Sequence, residues 1–518
     1  MKVNNEQIEN APISEIWVEE SQALLSKSLG EDWREKYIVW DCTSDQKKLK
    51  NTSKFSSLYR SCAQPKNSKH FEFDFLNDGA HELMSLCPEL HKALLSDKPI
   101  VFLFDVPLDK SALLSDNTKT KKSMQSFNWG ASSRAIYAQY FYRIYIYKKA
   151  FQLTNVHIGA FSPSLYLNSP DFKGFRNKFF DEFHYEKGFM FDSSQLDTQK
   201  EPWSLSFVHF SGNQPTLSHR FLMELKEIQS DLIVCINTIS IYNLDQQLSA
   251  CEYFNYGVDS LEKIELPEFN ATMTVRNTRK KGYQGQMGAV SYDSNSVANN
   301  NKDVLICSSN TTRKTNIPIL KSNWQNVLPL FTARRSVKRT WENWQYEYKT
   351  PDTSHDMWPE FVADSLVYSM FDDKSRQLSL GNVLYNDRVY DIRNHFFWID
   401  PSRLLKMFSN KGFDDFYKDY LNSEIPFFQS LLATLPISKE AQSILQVATD
   451  LFEMSVNSRI EMHVNRPELQ LHRWDAGFYQ MQHVWKKLHK DEYLNFRNQF
   501  EVFRSLMEEK TFIIGYLG

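Results

Sequence analysis

Glycine is the residue this chain has least of for its size: 16 in 518, about 3% against an average near 7%. Backbone that approaches a bound phosphate or nucleotide needs residues without a Cβ, so the shortage falls on ligand-cradling turns. Cysteine is sparse too. The six present (Cys42, Cys62, Cys87, Cys235, Cys251, Cys307) form no CxxC pair and sit beside no histidine array. That pattern excludes a disulfide framework and a zinc ribbon, so no metal site is expected. No apolar run reaches the roughly 18 residues a membrane span needs, and the opening MKVNNEQIEN is polar, without a signal-peptide core. A cytoplasmic protein with no membrane partner is the expectation. Strong charge of one sign is missing as well: at a formal net charge of −3 the chain has no overall pull toward nucleic acid. Any such binding must come from local basic patches. No internal repeat is found.

What is present is a globular composition, 42% hydrophobic, 24% charged and 14% aromatic, at a length that suggests two or three domains. The stretch that organises the rest is YIVWDCTSDQKKLK, residues 37 to 50. An apolar, β-prone run ends on Asp41 and passes at once into a polar segment able to start a helix. The first strand of a nucleotide-binding α/β domain ends in this way, except that its turn is glycine-rich.

Residues 1–35 read as a helical lead-in, with Ile16, Trp17, Leu24, Leu25 and Leu29 at helical spacing and Gly30 as a stop. Strands are expected at 37–41, 57–62, 70–75, 100–104, 156–161, 188–191 and 203–210, with helices at 80–95, 133–151 and 171–182. Seven strands separated by helices predict a doubly wound, mostly parallel α/β sheet over residues 36–213. Its ligands would lie at the carboxyl ends of the strands. The lysine-bearing stretch 111–130 reads as a mobile loop over that edge. A mixed region covers 214–424, and 425–518 reads as helical with a break near Pro467.

Seven segments then fall in a familiar order: YIVWD, FEFDFLND (71–78), KPIVFLFDVP (98–107), YAQYFYRI (137–144), FSPSLYL (161–167), EKGFMF (186–191) and WSLSF (203–207). With LPLFTARR (328–335) and LHRWDAGFYQ (471–480), the ordered set resembles the adenine-specific (N6) DNA methyltransferases of bacteria and phages over nearly the whole chain. The resemblance implies a Rossmann-like class I methyltransferase sheet with helices on both faces, binding S-adenosylmethionine. A mixed α+β DNA-recognition region and a helical C-terminal region would follow. It also implies roles for particular residues. After Asp41, a turn Asp-x-x-x-Gly-x-Gly would hold the methionine part of the cofactor, and here Asp45 and Lys47 stand in place of the glycines. Asp74 matches the position beside the cofactor's adenine, whereas the ribose-binding acid is absent from the Leu58–Gln64 stretch. The catalytic motif Asn/Asp-Pro-Pro-aromatic, whose first residue accepts from the target amine, becomes Asp105, Val106, Pro107, Leu108. Leu108 removes the stacking plane, worth roughly 1–3 kcal/mol per base.

Two basic clusters fall in the half that the resemblance turns toward DNA: Arg276, Arg279, Lys280 and Lys281, then Arg334, Arg335, Lys338 and Arg339 followed by Trp341 and Trp344. Such residues neutralise phosphates and stack on exposed bases. Plainer readings stand beside each assignment: Asp41 as a helix cap, Asp74 and Asp78 as solvated loop acids, Asp105 as part of a turn, and each basic run as a solvated helix face. WDAGFYQ (474–480) has the look of a helix-packing element without chemistry.

Three functions follow. In the first, the chain is an impaired methyltransferase relative kept as a DNA-binding, regulatory or scaffold subunit, partnering an active paralogue or a nuclease. In the second, it is an active site-specific DNA adenine methyltransferase with an unusual cofactor turn. In the third, it is a protein-interaction module of a phage or defence assembly.

Overall fold

The computed structural model describes residues 13–43, 55–63, 70–96, 98–105, 117–196, 203–212, 220–243, 250, 263–265, 281–297, 304–308, 310–311, 313–344, 346–385, 387–409, 425–456 and 476–517. They belong to two compact units. The first takes in residues 1–247 with 340–347 and 518, and the second 248–339 with 348–517. Among the described residues no helix is long and apolar enough to cross a membrane. Among the described residues, Cys42, Cys62, Cys87, Cys235 and Cys307 form no disulfide.

The first unit is built on a nine-stranded mixed sheet. In chain order it runs α1 (Glu15–Leu29), α2 (Trp33–Lys36), β1 (Ile38–Asp41), β2 (Ser57–Cys62), β3 (Phe71–Glu72), α3 (Ala80–Leu86), α4 (Pro88–Leu95) and β4 (Ile100–Asp105). There follow α5 (Lys119–Ser126), α6 (Ile136–Phe151), β5 (Val156–Ser162), α7 (Lys173–Phe179), β6 (His184–Asp192), β7 (Ser204–Ser211), β8 (Arg220–Gln229) and β9 (Leu232–Tyr242). The spatial order is β3-β2-β1-β4-β5-β7-β6-β8-β9. The first five strands are all parallel, so the order reverses between β1 and β4, the switch point of a doubly wound sheet.

The sheet is less parallel than the sequence suggests. β7 runs antiparallel to both β5 and β6, because the link from Asp192 to Ser204 is shorter than the dozen or more residues a parallel crossover takes. Nor does the sheet stop with β7. β8 pairs parallel with β6 and folds back antiparallel on β9 through Ser230 and Asp231, both at positive φ.

Alternation along the strands gives the sheet two apolar faces. Ile38, Trp40, Phe102, Phe104 and Ile158 pack under α3, α4, α6 and α7, with Leu83, Leu90, Phe141 and Phe179. Val39, Val101, Leu103, Phe161 and Phe207 face α1 and α2, through Trp17, Leu25 and Trp33. Trp17 stacks on Phe191 at 4.0 Å between centroids. The helix expected at 80–95 is broken in two at Pro88, which cannot continue a helix but suits its first position. The loop expected at 111–130 contains a helix instead, α5. Thr118 caps it by accepting the Lys121 N–H, and Thr120 and Met124, four residues apart, are buried beneath it.

In the second unit, Gly288–Tyr292 lies antiparallel between Leu305–Cys307 and Thr315–Ile319. Ser375–Arg376 adds a short parallel edge. The helices Trp324–Ser336, Trp358–Phe371 and Lys439–Met454 pack with the long helix Lys490–Ile513. The end of WDAGFYQ opens the helix Phe478–Leu488. There Gln480 exchanges hydrogen bonds with the backbone of Ser379, a packing role.

Candidate functional site

Strand alternation places two acids at the switch point. Asp41 shares a face with Val39, and Asp105 shares it with Val101 and Leu103, so both acids are at the carboxyl ends of adjacent strands on the α1 side. Thr43 joins them. Its hydroxyl donates to Asp105 Oδ1 at 2.9 Å and accepts the Asp105 backbone N–H at 3.0 Å, while its own N–H reaches Asp41 Oδ1 at 3.4 Å. The Cys42 N–H donates to the Leu103 carbonyl at 2.8 Å, closing the strand ends together. Burial, with Asp41 beside it, pushes the Cys42 thiol well up, which keeps it protonated and unreactive.

A cleft of about 430 Å³, including its open mouth, lies over these groups. Val18 and Ser21 of α1, Asp41, Thr43, Leu103, Asp105, Gly159, Phe161 and Phe207 line it. Gly159 is closely packed: a Cβ there would come within 2.8 Å of Leu103 Cδ2 and 2.9 Å of Phe207 Cζ, so those side chains would have to shift.

Asp74 sits in the turn after β3 on the same edge of the sheet. Its carboxylate accepts the N–H groups of Leu76 (3.0 Å) and Asn77 (3.2 Å) and the Asn77 side-chain amide (2.7 Å). Its own N–H donates to Asp78 Oδ2 at 2.8 Å. This is an Asx turn that holds its own loop. Arg143 secures the same loop through the carbonyls of Phe75 and Asp78. Across the sheet, Tyr140 is stacked between Phe75 (5.4 Å) and Phe104 (5.2 Å). Burial raises its hydroxyl pKa, and the charges of Asp74 and Asp105 add to the effect. Asp41, Asp74 and Asp105 therefore share one edge, with Thr43 and Tyr140 between them. Asp45, Lys47, Pro107 and Leu108 lie outside the described residues, as do Arg276, Arg279 and Lys280.

The basic residues of the second unit have different surroundings from those the sequence suggests. Lys281 opens a short strand against Lys263–Glu265. Arg334 is fully buried, its guanidinium 4.0 Å from the Tyr292 ring centroid and donating to the Ser294 carbonyl. Arg335 is buried against Asp372 (3.0 Å) and Asp373 (2.9 Å); burial lowers its pKa, but these acids outweigh that and raise it. Neither arginine presents its charge to a phosphate in this arrangement. Lys338 and Arg339, just beyond the helix, are exposed. Trp341 and Trp344, both half-buried, pack on the two cores of the first unit.

Within the stretch expected to be loop, α5 carries basic residues: Lys119 and Lys122 are exposed and Lys121 is half-buried. The available signal was the absence of acids: residues 117–170 contain no Asp or Glu, in a chain with 63. Among the described residues no group of three or more His, Cys, Asp or Glu could hold a metal ion.

No family model matches this chain, and no curated protein matches it. Solved structures do. A DrdV–DNA complex is 10% identical with a TM-score of 0.28, over 40% of this chain and 26% of that one. The type IIG restriction endonuclease BpuSI is 16% identical with a TM-score of 0.26, over 41% and 26%. The ATP-dependent type ISP restriction-modification enzyme LlaBIII bound to DNA is 8% identical with a TM-score of 0.30, over 56% and 25%. The chain spans about a quarter of the length of each of these structures. Likenesses at these TM-scores establish neither a shared activity nor a shared partner.

Proposed function

We propose that the first unit is a class I methyltransferase-type sheet that has lost methyl transfer, and that the chain acts as a DNA-binding regulatory or scaffold subunit. The observation that carries this reading is the Thr43 bridge. Asp105, the acceptor that the resemblance would aim at an adenine amine, is tied at the switch point to the turn that would hold the cofactor. The order 3-2-1-4-5 of the parallel strands supports the sheet type. Asp45 and Lys47 in place of glycines support the loss of S-adenosylmethionine binding, since their side chains take up ligand space and Asp45 would meet the cofactor's carboxylate with like charge.

The retention of both Asp41 and Asp105 on the cleft favours a second reading, an active adenine methyltransferase in which Asp105 orients the amine. The uncharged strand β9, with Leu232, Val234 and Ile236 exposed, favours the third, a protein-interaction module. Incubation with tritiated S-adenosylmethionine and DNA separates the first two. No label on adenine is expected; label that disappears with Asp105→Ala would establish the active enzyme.

A further inference from the structure

β9 is an edge of the nine-stranded sheet: among the described residues it pairs with β8 and with no other strand. An edge leaves a row of backbone N–H and C=O groups that a further strand can satisfy, and folded proteins guard against this with charge, proline, bulges or short length. β9 has one of these devices. Its sequence, LIVCINTISIY, is 11 residues long and holds no charged residue and no proline. The exception is the register shift opposite Leu225 and Lys226, which sets Ile236 between paired positions. Beyond the ladder to β8, the hydrogen bonds of residues 232–241 are few and local. The Thr238 N–H donates to Asn237 Oδ1 at 2.8 Å, the Cys235 thiol to the Asn237 carbonyl at 3.4 Å, and Arg220 Nε to Ser240 Oγ at 2.7 Å.

The side chains narrow the choice of incoming strand. Leu232, at 69% exposed, Val234 and Ile236 are apolar side chains left at the surface. A strand without charge meets no like charge when it pairs with its own copy, where directly opposed like charges would repel. The hairpin places charges of opposite sign at its two ends. At the turn, Asp231 is exposed at φ 63. At the open end, Arg220 is exposed, stands opposite Tyr242 and leans across β9 to Ser240. Neither has an ion-pair partner among the described residues. Between them Lys226 is committed to Glu20 and Glu224.

We propose that β9 pairs antiparallel with β9 of a second copy of this chain about a twofold axis, joining the two sheets into one. Such pairing uses both edges at once and closes at a dimer. It lays the turn end of each hairpin beside the open end of the other, so Asp231 of one copy meets Arg220 of the second copy at both ends of the seam. The inference depends on neither DNA binding nor the cofactor site. Its test is sedimentation equilibrium of the full chain, without DNA, from about 1 to 100 μM. Wild type should pass from monomer to dimer over that range. Val234→Lys with Thr238→Lys sets like charges along the seam and should leave a monomer throughout. Arg220→Asp should weaken the dimer about 2- to 30-fold, through the loss of an ion pair at each end. Adding Asp231→Lys to Arg220→Asp should restore it. Circular dichroism matching wild type and a cooperative melt show that the variants fold; where the lysine pair does not fold, the Arg220 and Asp231 variants decide. A wild type still monomeric at about 100 μM leaves the edge to a strand of another protein and overturns the proposal. Dimerisation unchanged by the lysine pair places the contact elsewhere and also overturns it, as does a double variant no stronger than Arg220→Asp alone.

Discussion

Two helices carry short basic runs and place them in opposite surroundings. In Trp324–Ser336 every residue from Val327 to Ser336 is buried, Arg334 and Arg335 among them. α5 has only Thr120 and Met124 buried, and Lys119 and Lys122 are exposed. Composition does not separate the two; the availability of partners does. Arg335 meets the Asp372–Asp373 pair and Arg334 meets an aromatic ring and a carbonyl, whereas nothing acidic lies within the 54 residues that begin just before α5. Basic charge that has been given buried acid partners serves stability, whereas Lys119 and Lys122 stay at the surface.

The largest effect should come from breaking the buried pair. Arg335→Met leaves Asp372 buried without its cation and should cost about 3–5 kcal/mol in urea unfolding of the full chain. Arg335→Met with Asp372→Leu should recover most of that loss. A change below about 1 kcal/mol for the single variant would show that the arginine is not committed as described.

Another pair of buried bases extends the contrast, because neither is hydrogen-bonded to a carboxylate among the described residues, although Glu186 acts on His157 from farther off. His157 Nδ1 lies 3.2 Å from His209 Nε2, and His157 Nε2 lies 3.0 Å from Asn155 Oδ1. Since the Asn155 oxygen can only accept, His157 carries its proton on Nε2 and accepts from His209 through Nδ1. Burial lowers His157 to about 4 and His209 to about 3. The unfolded chain, with histidines near 6.5, therefore binds more protons below that pH. Stability is unaffected above about pH 6.5 and falls as the pH drops toward 4, by on the order of 3 kcal/mol per histidine. His157→Asn with His209→Gln should flatten unfolding midpoints between those pH values; an unchanged slope would mean that the pair is protonated in the fold.

Smaller effects belong to the site and the exposed helix. Thr43→Val removes the bridge to Asp105 and should cost about 1 kcal/mol in the same unfolding measurement. Lys122→Ala should shift stability by no more than about 0.5 kcal/mol. A larger loss would mean that α5 uses its lysine internally, as the other helix uses Arg335.

The strands at 37–41, 100–104, 156–161 and 203–210 were legible as largely apolar runs, whereas the one expected at 70–75 shortens to Phe71–Glu72; the face alternation of Val39 against Trp40 follows from strand period alone. The acids at the switch point were legible as strand ends. The antiparallel placement of β7 and the addition of β8 and β9 were not, because pairing partners are set by connections and not by composition. α5 was not legible, because its polar length hides two inward side chains, Thr120 and Met124. Arg334 and Arg335 read as a DNA-facing cluster because the acids that hold Arg335 are 37 and 38 positions away. A doublet of acids closing the following helix was the one signal that could have pointed inward.

The most direct measurement is calorimetric titration of S-adenosylmethionine into the full chain, with and without DNA. No binding is expected in either case, and Asp45→Gly with Lys47→Gly should restore some. Micromolar affinity in the wild-type protein would contradict a methyltransferase sheet that has lost its cofactor.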